Sequence, residues 1–530
     1  MTVAPRRSLL RSSVIISGLA AGVSALGFAN QLLVAHFFGA GPELDAYFVG
    51  VSLPLLLISL VNGMFAYWLV PQLVRERAGA AQAYALFAGQ LLLGLALIGG
   101  AVAGLAGLAA PGLLRLMAPT LAPALYAEAT LINRLGWLSF ACAVGLYYLG
   151  AMHNTGERFI LPVIAGMLPP TGMIGFCLAW AERLGPAALA WGQATGFAAG
   201  VLLLLPGCWG ELRFGGGAAA TWRALRPVLS PLPLVVLSML CFSIYGTVDA
   251  VWASRLGESQ VSYLGYAQRL LVAVANVITL GPMTVILPRL AAAAHAGQRE
   301  QFLRETRLVL RLVLALAALM AVGLAAQALP FVTLLFERGA FTPADAAGLA
   351  TTLPGLLLGM VAMAGTTILF RALHARHDRR AAAALGALGT VTYFALSGLL
   401  SQRWQLGGIV AAYALTWWLL LALTAWRVWA AEHAARLNRD MLLFTARLLI
   451  ATAVSGAAGL LAHGWLLPAG MSWGAPALAL RLAACGALGA LAFGVTAVWV
   501  LPIAELRLPL ERLPLWRRLA AAWTPARVRS

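Results

Sequence analysis

The chain has 530 residues, of which 62% are hydrophobic and only 10% are charged. A soluble domain carries roughly 25% charged residues, so lipid must cover the apolar surface that a soluble fold of this length could not bury. The net charge is +18, and all 36 basic residues are arginines. These arginines occur in short runs between apolar segments, which is typical of membrane-protein loops and argues against a nucleic-acid-binding protein.

The apolar segments predict an all-α integral membrane protein with about fourteen transmembrane helices, by the length rule for bilayer spans. Charged residues and Pro/Gly-rich points separate the segments. In chain order, the predicted spans are 12–37, 45–73, 81–109, 124–151, 159–180, 186–206, 228–254, 259–290, 304–328, 346–373, 381–401, 407–428, 443–465 and 475–501.

The distribution of arginines predicts the topology. With the N-terminus in the cytoplasm, the cytoplasmic loops and the span ends beside them hold 28 arginines, and the outer loops hold five. The remaining three, Arg134, Arg269 and Arg481, lie within spans. One missed span would invert every later loop, so this asymmetry predicts an even number of spans with both termini in the cytoplasm.

An internal repeat links the two halves of the chain. Residues 24–73 end in Val70-Pro71-Gln72-Leu73, and residues 241–290 end in Leu287-Pro288-Arg289-Leu290, at an offset of 217 residues and six spans. An even offset makes the copies parallel, as in transporters built from two lobes related by an axis along the membrane normal. The predicted regions are a cytoplasmic N-terminus (1–11), an N-lobe (12–206), a cytoplasmic linker (207–227), a C-lobe (228–428), spans thirteen and fourteen (429–501) and a cytoplasmic basic tail (502–530).

Signatures of catalysis are missing from the sequence. It contains no nucleophile elbow, no phosphate-binding loop, no metal-ligand spacing and no histidine pair placed for haem. The five cysteines lie in or beside apolar stretches and form no CxxC motif. We therefore expect a protein that is not an enzyme and needs no metal or cofactor.

Several short strings, in order along residues 20–380, resemble the MurJ/MviN family of the multidrug/oligosaccharidyl-lipid/polysaccharide exporter superfamily. They are Leu26-Gly27-Phe28-Ala29, Phe38-Gly39-Ala40-Gly41, Asp45-Ala46-Tyr47-Phe48-Val49, Gly265-Tyr266-Ala267-Gln268-Arg269-Leu270 and Leu335-Phe336-Glu337-Arg338-Gly339-Ala340-Phe341-Thr342. The resemblance implies a flippase of the bacterial inner membrane that moves lipid II from the inner to the outer leaflet. It also implies a V-shaped, two-lobe arrangement in which spans thirteen and fourteen form a groove for the polyprenyl tail.

The chain departs from the family at basic positions of spans one and two. Lipid II flippases of this family usually place arginines there, where this chain has Ser24, Asn30, Ile58 and Ser59. The span-eight arginine, Arg269, is kept. A flippase for another undecaprenyl-pyrophosphate-linked glycan therefore fits as well as one for lipid II. Two other hypotheses are a multidrug exporter of the same superfamily and a non-transporting scaffold of envelope synthesis.

The predicted substrate-binding residues are Arg269, Asp45, Ser24, Asn30 and Ser52. An arginine near mid-membrane is costly unless it faces water or a partner, and a guanidinium binds phosphate oxygens bidentately. Arg269 is therefore predicted to contact the substrate pyrophosphate, with a structural partner or snorkelling as the alternatives. For Asp45, a helix N-cap and a contact that closes an outer gate both remain open.

A coupling-ion site is predicted at Asp249 and Thr390. Some relatives bind sodium with a carboxylate in this region, and Asp249 could instead pair with Arg255 or Arg269. Coupling to Na+, to H+ or to the membrane potential remains open. The expected partners are a lipid-linked oligosaccharide pyrophosphate, anionic membrane lipids and cell-wall synthesis proteins.

Overall fold

The computed structural model describes residues 6–296, 298–376, 378–429, 434–467 and 474–501. The predicted tail, 502–530, lies outside the described residues, as do residues 1–5 of the predicted N-terminus. In the described ranges the chain is mostly helical and forms no strand, so the predicted all-α class is confirmed.

The described chain forms eighteen α-helices. The first nine are α1 (Arg6–Phe38), α2 (Pro42–Met64), α3 (Val70–Arg77), α4 (Ala81–Leu108), α5 (Ala110–Met117), α6 (Pro123–Thr155), α7 (Ile160–Leu184), α8 (Ala187–Cys208) and α9 (Gly217–Leu229). The other nine are α10 (Leu232–Ser243), α11 (Tyr245–Ala253), α12 (Gln260–His295), α13 (Arg299–Ala326), α14 (Ala328–Phe336), α15 (Pro343–Ala375), α16 (Arg379–Trp429), α17 (Ala434–Leu466) and α18 (Ala475–Val495). A π-helical turn, Phe65–Leu69, joins α2 to α3.

Ten helices of the described chain are long and apolar enough to cross a bilayer, and the bent pair α9 and α10 makes an eleventh if it is one span. One of the ten, α16, has 51 residues. At 1.5 Å per residue it would be about 76 Å long, more than twice the ~30 Å hydrocarbon core, so it must contain two spans. Its backbone breaks at Gln405, between the predicted spans 381–401 and 407–428. The helices are compatible with fourteen spans, although this exact number stays a prediction.

The described residues divide into two compact units. Of the described residues, the first unit contains those within 6–268, 336–349 and 382–409, and the second contains those within 269–335, 350–381 and 410–501. The unit boundaries cut through α12, α14, α15 and α16. The lobe boundaries inferred from the repeat stay a prediction.

In the first unit, α6 is the central helix and packs against α2, α4 and α8. The Asn133 side chain donates a hydrogen bond of 2.6 Å to the Gly50 carbonyl on α2, and Tyr148 donates one of 2.7 Å to the Ala88 carbonyl on α4. At the other end of this bundle, Arg77 forms an ion pair of 2.9 Å with Glu211. The two hydrogen bonds of α6 thus pair buried polar side chains with neighbouring helices, as a membrane interior favours.

In the second unit, α13 packs against α17, and α17 packs against α18. The Arg311 guanidinium lies 5.2 Å from the centre of the Phe444 ring, and Gly459 lies beside Ala326 further along the same helices. Both contacts join residues 133 apart in sequence, so α13 and α17 run parallel. This direction agrees with their predicted places as the ninth and thirteenth spans.

Candidate functional site: a latch and a buried carboxylate

Asp45 lies in the first turn of α2 but bonds to a different helix. Its buried carboxylate accepts hydrogen bonds from the backbone N–H of Ser262, at 2.7 Å, and from the Ser262 hydroxyl, at 2.5 Å. Ser262 lies in the first turn of α12, where backbone N–H groups have no partner within the helix. Asp45 therefore caps α12, whereas the N-cap position of its own helix is Gly41. Asp45 is thus not the N-cap of its own helix, and its role in an outer gate stays a prediction.

The 217-residue offset of the repeat reappears in these contacts. Asp45 and Ser262 are equivalent positions of the two copies, and so are Phe48 and Gly265, which also pack together. Both contacts therefore join positions that the sequence repeat makes equivalent.

An aromatic cluster lies one turn further along α12. The Tyr266 hydroxyl donates a hydrogen bond of 2.7 Å to the Gly39 carbonyl, where α1 has just ended. Three rings, those of Phe48, Phe336 and Phe341, surround the Tyr266 ring at centroid distances of 5.4–6.1 Å. Tyr266, Phe336 and Phe341 are almost completely buried, so this cluster excludes water from the contact.

The turn at 337–341 docks on the end of α1. The Ala340 N–H donates a hydrogen bond of 2.8 Å to the His36 carbonyl. Gly339 has φ +63°, and a Cβ there would overlap the His36 backbone and imidazole, so only glycine fits. We call the three hydrogen bonds Asp45–Ser262, Tyr266–Gly39 and Ala340–His36 the latch.

Arg269 lies seven residues after Ser262, and therefore on the same side of α12 as Ser262 and Tyr266. It is half-buried and about 14 Å along the helix from Gln260 at 1.5 Å per residue. In the repeat it is equivalent to Ser52. The hydroxyl of Ser52 bonds to the Val49 carbonyl of its own helix, and its carbonyl accepts a hydrogen bond from Thr247.

The two predicted residues of span one differ in exposure. Ser24 is exposed, whereas Asn30 is buried. The Asn30 amide nitrogen lies 3.7 Å from the Met173 sulfur, and its buried Oδ1 has no hydrogen-bond partner in the described residues. Of the predicted set, Asp45 and Ser52 share one side of α2 with Phe48, at spacings of three and four residues. A substrate-binding role for all five residues stays a prediction.

The second predicted site contains a fully buried carboxylate. Asp249 on α11 accepts a hydrogen bond from the Tyr393 hydroxyl and one of 3.1 Å from the Gln268 amide. Tyr393 is buried on α16, and its ring lies 4.6 Å from that of Tyr245. Thr390 lies one turn before Tyr393 and bonds to the Gly386 carbonyl of its own helix. Asp249 therefore contacts α16, the helix that carries Thr390. The residue of α16 that bonds to Asp249 is Tyr393.

Sequence reasoning missed four residues here: Ser262, Tyr266, Gln268 and Tyr393. The repeat contained a signal for Ser262, because it is the equivalent of Asp45. The helical spacing from Thr390 contained a signal for Tyr393. Within the described part of the chain, no group of three His, Cys, Asp or Glu side chains is arranged to hold a metal ion.

These features define a class of protein. The chain is a polytopic α-helical membrane protein. The family model described as "Lipid II flippase MurJ" matches residues 34–473. The chain therefore belongs to the MurJ family.

Individual relatives and structures agree with this assignment. The chain is 26% identical to the probable lipid II flippase MurJ of Rhizobium meliloti, over 91% of this chain and 92% of that protein. It is 27% identical to the Vibrio cholerae protein of the same description, over 92% and 95%. A solved structure of lipid II flippase MurJ in an inward closed conformation matches with a TM-score of 0.75 at 17% identity, covering 91% of this chain and 98% of that one. An inward-facing multidrug transporter of the MATE family matches with a TM-score of 0.62 at 16% identity, covering 78% and 95%. At these identities the two structures support the fold alone.

Proposed function

We propose that this protein is a flippase that moves an undecaprenyl-pyrophosphate-linked glycan, lipid II or a related cell-envelope precursor, from the inner to the outer leaflet. The observation that carries the proposal is the family match over residues 34–473. Transport of an intact lipid breaks no covalent bond, so no catalytic residue is required. The proposed location is the bacterial inner membrane, with both termini in the cytoplasm.

The latch indicates which contacts would have to break during transport. The predicted topology assigns the latch to the outer end of the helices, so its three hydrogen bonds would hold that end closed. Release of the headgroup to the outer side would require these bonds and the aromatic contacts of Tyr266 to break together. Each hydrogen bond contributes about 1 kcal/mol net, and a set of this size suits a conformational equilibrium that a substrate can shift.

Arg269 is the proposed contact for the substrate pyrophosphate. It follows Ser262 and Tyr266 on one side of α12, so opening the latch would alter the surroundings of this guanidinium. Asp45, Ser52, Ser24 and Asn30 are proposed to complete the substrate path from α1 and α2. The tail of the lipid is proposed to lie along α17 and α18, and anionic lipids are proposed to contact the arginine-rich cytoplasmic loops.

Energy is proposed to come from the membrane potential or an ion gradient. An anionic substrate moving outward is favoured by an inside-negative potential, by about 2.3 kcal/mol per charge per 100 mV. Asp249 is the proposed coupling residue, because a buried carboxylate with the neutral partners Tyr393 and Gln268 is costly when charged unless a cation joins it. Both Na+ and H+ fit this reasoning, with Thr390 as a further oxygen ligand for Na+.

A leaflet assay tests the proposed function. Purified protein would be reconstituted in vesicles that contain fluorescent lipid II, and a membrane-impermeant reagent would report the lipid on the outer leaflet. We expect protein-dependent movement of lipid II across the bilayer. In cells, depletion should raise the lipid-linked precursor on the inner leaflet.

A multidrug exporter is the second candidate, favoured by the structural likeness to the MATE transporter. It predicts drug sensitivity on depletion with no change in lipid-linked precursors. A scaffold of envelope synthesis, in contact with cell-wall synthesis proteins, predicts neither lipid movement nor drug sensitivity. Either of these two sets of results would contradict the proposed flippase function.

A further inference from the structure

A cavity of about 240 Å³ opens among α2, α6 and α7, within the first compact unit. Its polar lining consists of Asn62 on α2 and Asn154 on α6. Aromatic rings are contributed by Phe65 and Tyr147, and small or apolar residues complete the wall. The cavity lies beside the loop between the fourth and fifth predicted spans, which the topology prediction assigns to the cytoplasm.

The local backbone helps to make this space. Phe65 begins the π-helical turn that joins α2 to α3, and Val70 follows it; both line the cavity. π-Helical turns within α-helices are rare and are frequent at functional sites. On the opposite wall, no atom lies within 4 Å of the place where a Cβ of Gly166 would be. A side chain at 166 would therefore project into open space.

The side chains that line the cavity indicate which class of ligand it could bind. The described lining residues carry no charge, so a pyrophosphate, which needs Arg or Lys, and a cation, which needs a carboxylate, are both poorly matched. A polyprenyl tail would leave the two amides without hydrogen-bond partners. Amide groups both donate and accept, as do sugar hydroxyl and acetamido groups, and aromatic rings pack on the apolar face of a sugar ring.

The volume limits how much of a ligand can enter. Drug-sized ligands occupy pockets of about 300–1,000 Å³, and a water molecule occupies about 30 Å³. At about 240 Å³, the cavity lies just below the range for drug-sized ligands, which suits one pyranose ring rather than a whole headgroup.

We propose that this cavity is a subsite for one neutral hexosamine ring of the glycan, held by Asn62 and Asn154 against Tyr147 and Phe65. The proposal rests on the proposed flippase function and specifies how the glycan is recognised. The subsite would bind the sugar on the cytoplasmic side, apart from the pyrophosphate contact at Arg269. A chain that lacks the family arginines of spans one and two would then recognise its substrate partly through the sugar.

Equilibrium binding to two lipids tests the subsite. The full-length protein in detergent would be titrated with lipid II and with undecaprenyl pyrophosphate, which lacks the sugar. We expect the wild type to bind lipid II more tightly. Gly166→Leu, which fills the cavity, should weaken lipid II binding about tenfold, or about 1.4 kcal/mol, and leave undecaprenyl pyrophosphate binding unchanged.

Gly175→Leu is the matched control, because Gly175 is on the same helix, is exposed and also has no atom within 4 Å of its Cβ position. It should bind both lipids as the wild type does. Asn62→Leu, at an exposed residue, is a second test should Gly166→Leu fold poorly, and it should weaken lipid II binding in the same selective way.

The outcomes separate the two proposals. Unchanged preference for lipid II in Gly166→Leu and Asn62→Leu would overturn the subsite. Equal binding of both lipids by the wild type would also overturn it, and would leave the flippase standing. If the wild type binds neither lipid, the proposed function fails and the subsite fails with it.

Discussion

Ser262 contributes two of the hydrogen-bonding groups at the contact between α2 and α12. Its backbone and side chain both bond to Asp45, so Asp45 ties α2 to the start of α12. The sequence indicated Asp45 through the family resemblance, but not its partner, because a hydrogen bond between residues 217 apart leaves no local pattern. Only the repeat offset connected the two positions.

Ser262→Ala should weaken the latch while keeping the backbone bond to Asp45. The loss of one hydrogen bond to a buried carboxylate costs about 1–3 kcal/mol, or about 5- to 150-fold in an equilibrium between closed and open states. In a background without native cysteines, Thr247→Cys beneath the latch should then be alkylated faster by an impermeant maleimide. Ser59→Ala is the control, because its hydroxyl bonds only to the Leu56 carbonyl of its own helix. Equal alkylation rates in the two variants would contradict the role of the latch.

Gly339 is constrained by both its backbone angle and its surroundings. With φ +63° and His36 in the place of a Cβ, Gly339→Ala should destabilise the protein by more than about 1 kcal/mol. The thermal midpoint of the purified protein should fall. Gly104→Ala, in an open position of α4, should leave the midpoint unchanged or raise it slightly. A fall of similar size in both variants would show that the protein has no particular requirement for glycine at position 339.

At the scale of elements, hydropathy predicted long helices well and short ones poorly. All fourteen predicted spans coincide with helical residues, because an apolar run of that length has no other stable form in lipid. The predicted linker, 207–227, contains much of α9, whose buried residues Ala220, Ala224 and Val228 recur at helical spacing. A helix of this kind buries one apolar stripe and keeps arginines on the other side, so its total hydropathy is too low for a span prediction.

The break in α16 separates two spans that hydropathy had already divided. Gln405 has φ +48°, which costs a non-glycine residue about 1 kcal/mol, and its side chain is exposed. Gln405→Gly should therefore raise the thermal midpoint, and Gln405→Val should lower it. Arg403→Gly, two residues earlier in a regular helical conformation, should lower the midpoint slightly. A lower midpoint for Gln405→Gly would show that the break is not a strained turn.

At the scale of the whole molecule, the repeat was the most informative sequence feature. It predicted two parallel copies, and the contacts of Asp45 with Ser262 and of Phe48 with Gly265 follow its offset. The cavity lined by Asn62 and Asn154 could not be predicted in the same way. These residues are 92 positions apart and come together only because α2 and α6 pack side by side.

The proposed coupling of transport to an ion would involve the whole molecule, and Asp249 allows this proposal to be tested. If Asp249 takes up the ion that drives the cycle, Asp249→Asn should abolish the response of lipid II movement to an imposed Na+ or H+ gradient. The response to the membrane potential should remain, because the charge of the substrate supplies it. Vesicles with one gradient imposed at a time would identify the ion.

Two variants make this experiment specific. Asp345→Asn is the matched control, because Asp345 is also a buried carboxylate but caps its own helix through Thr342. It should respond to every gradient as the wild type does. Tyr393→Phe removes the hydroxyl that bonds to Asp249 and should shift the ion concentration for half-maximal transport without abolishing the response. A full gradient response in Asp249→Asn would place the coupling elsewhere and leave Asp249 as a structural acid between α11 and α16.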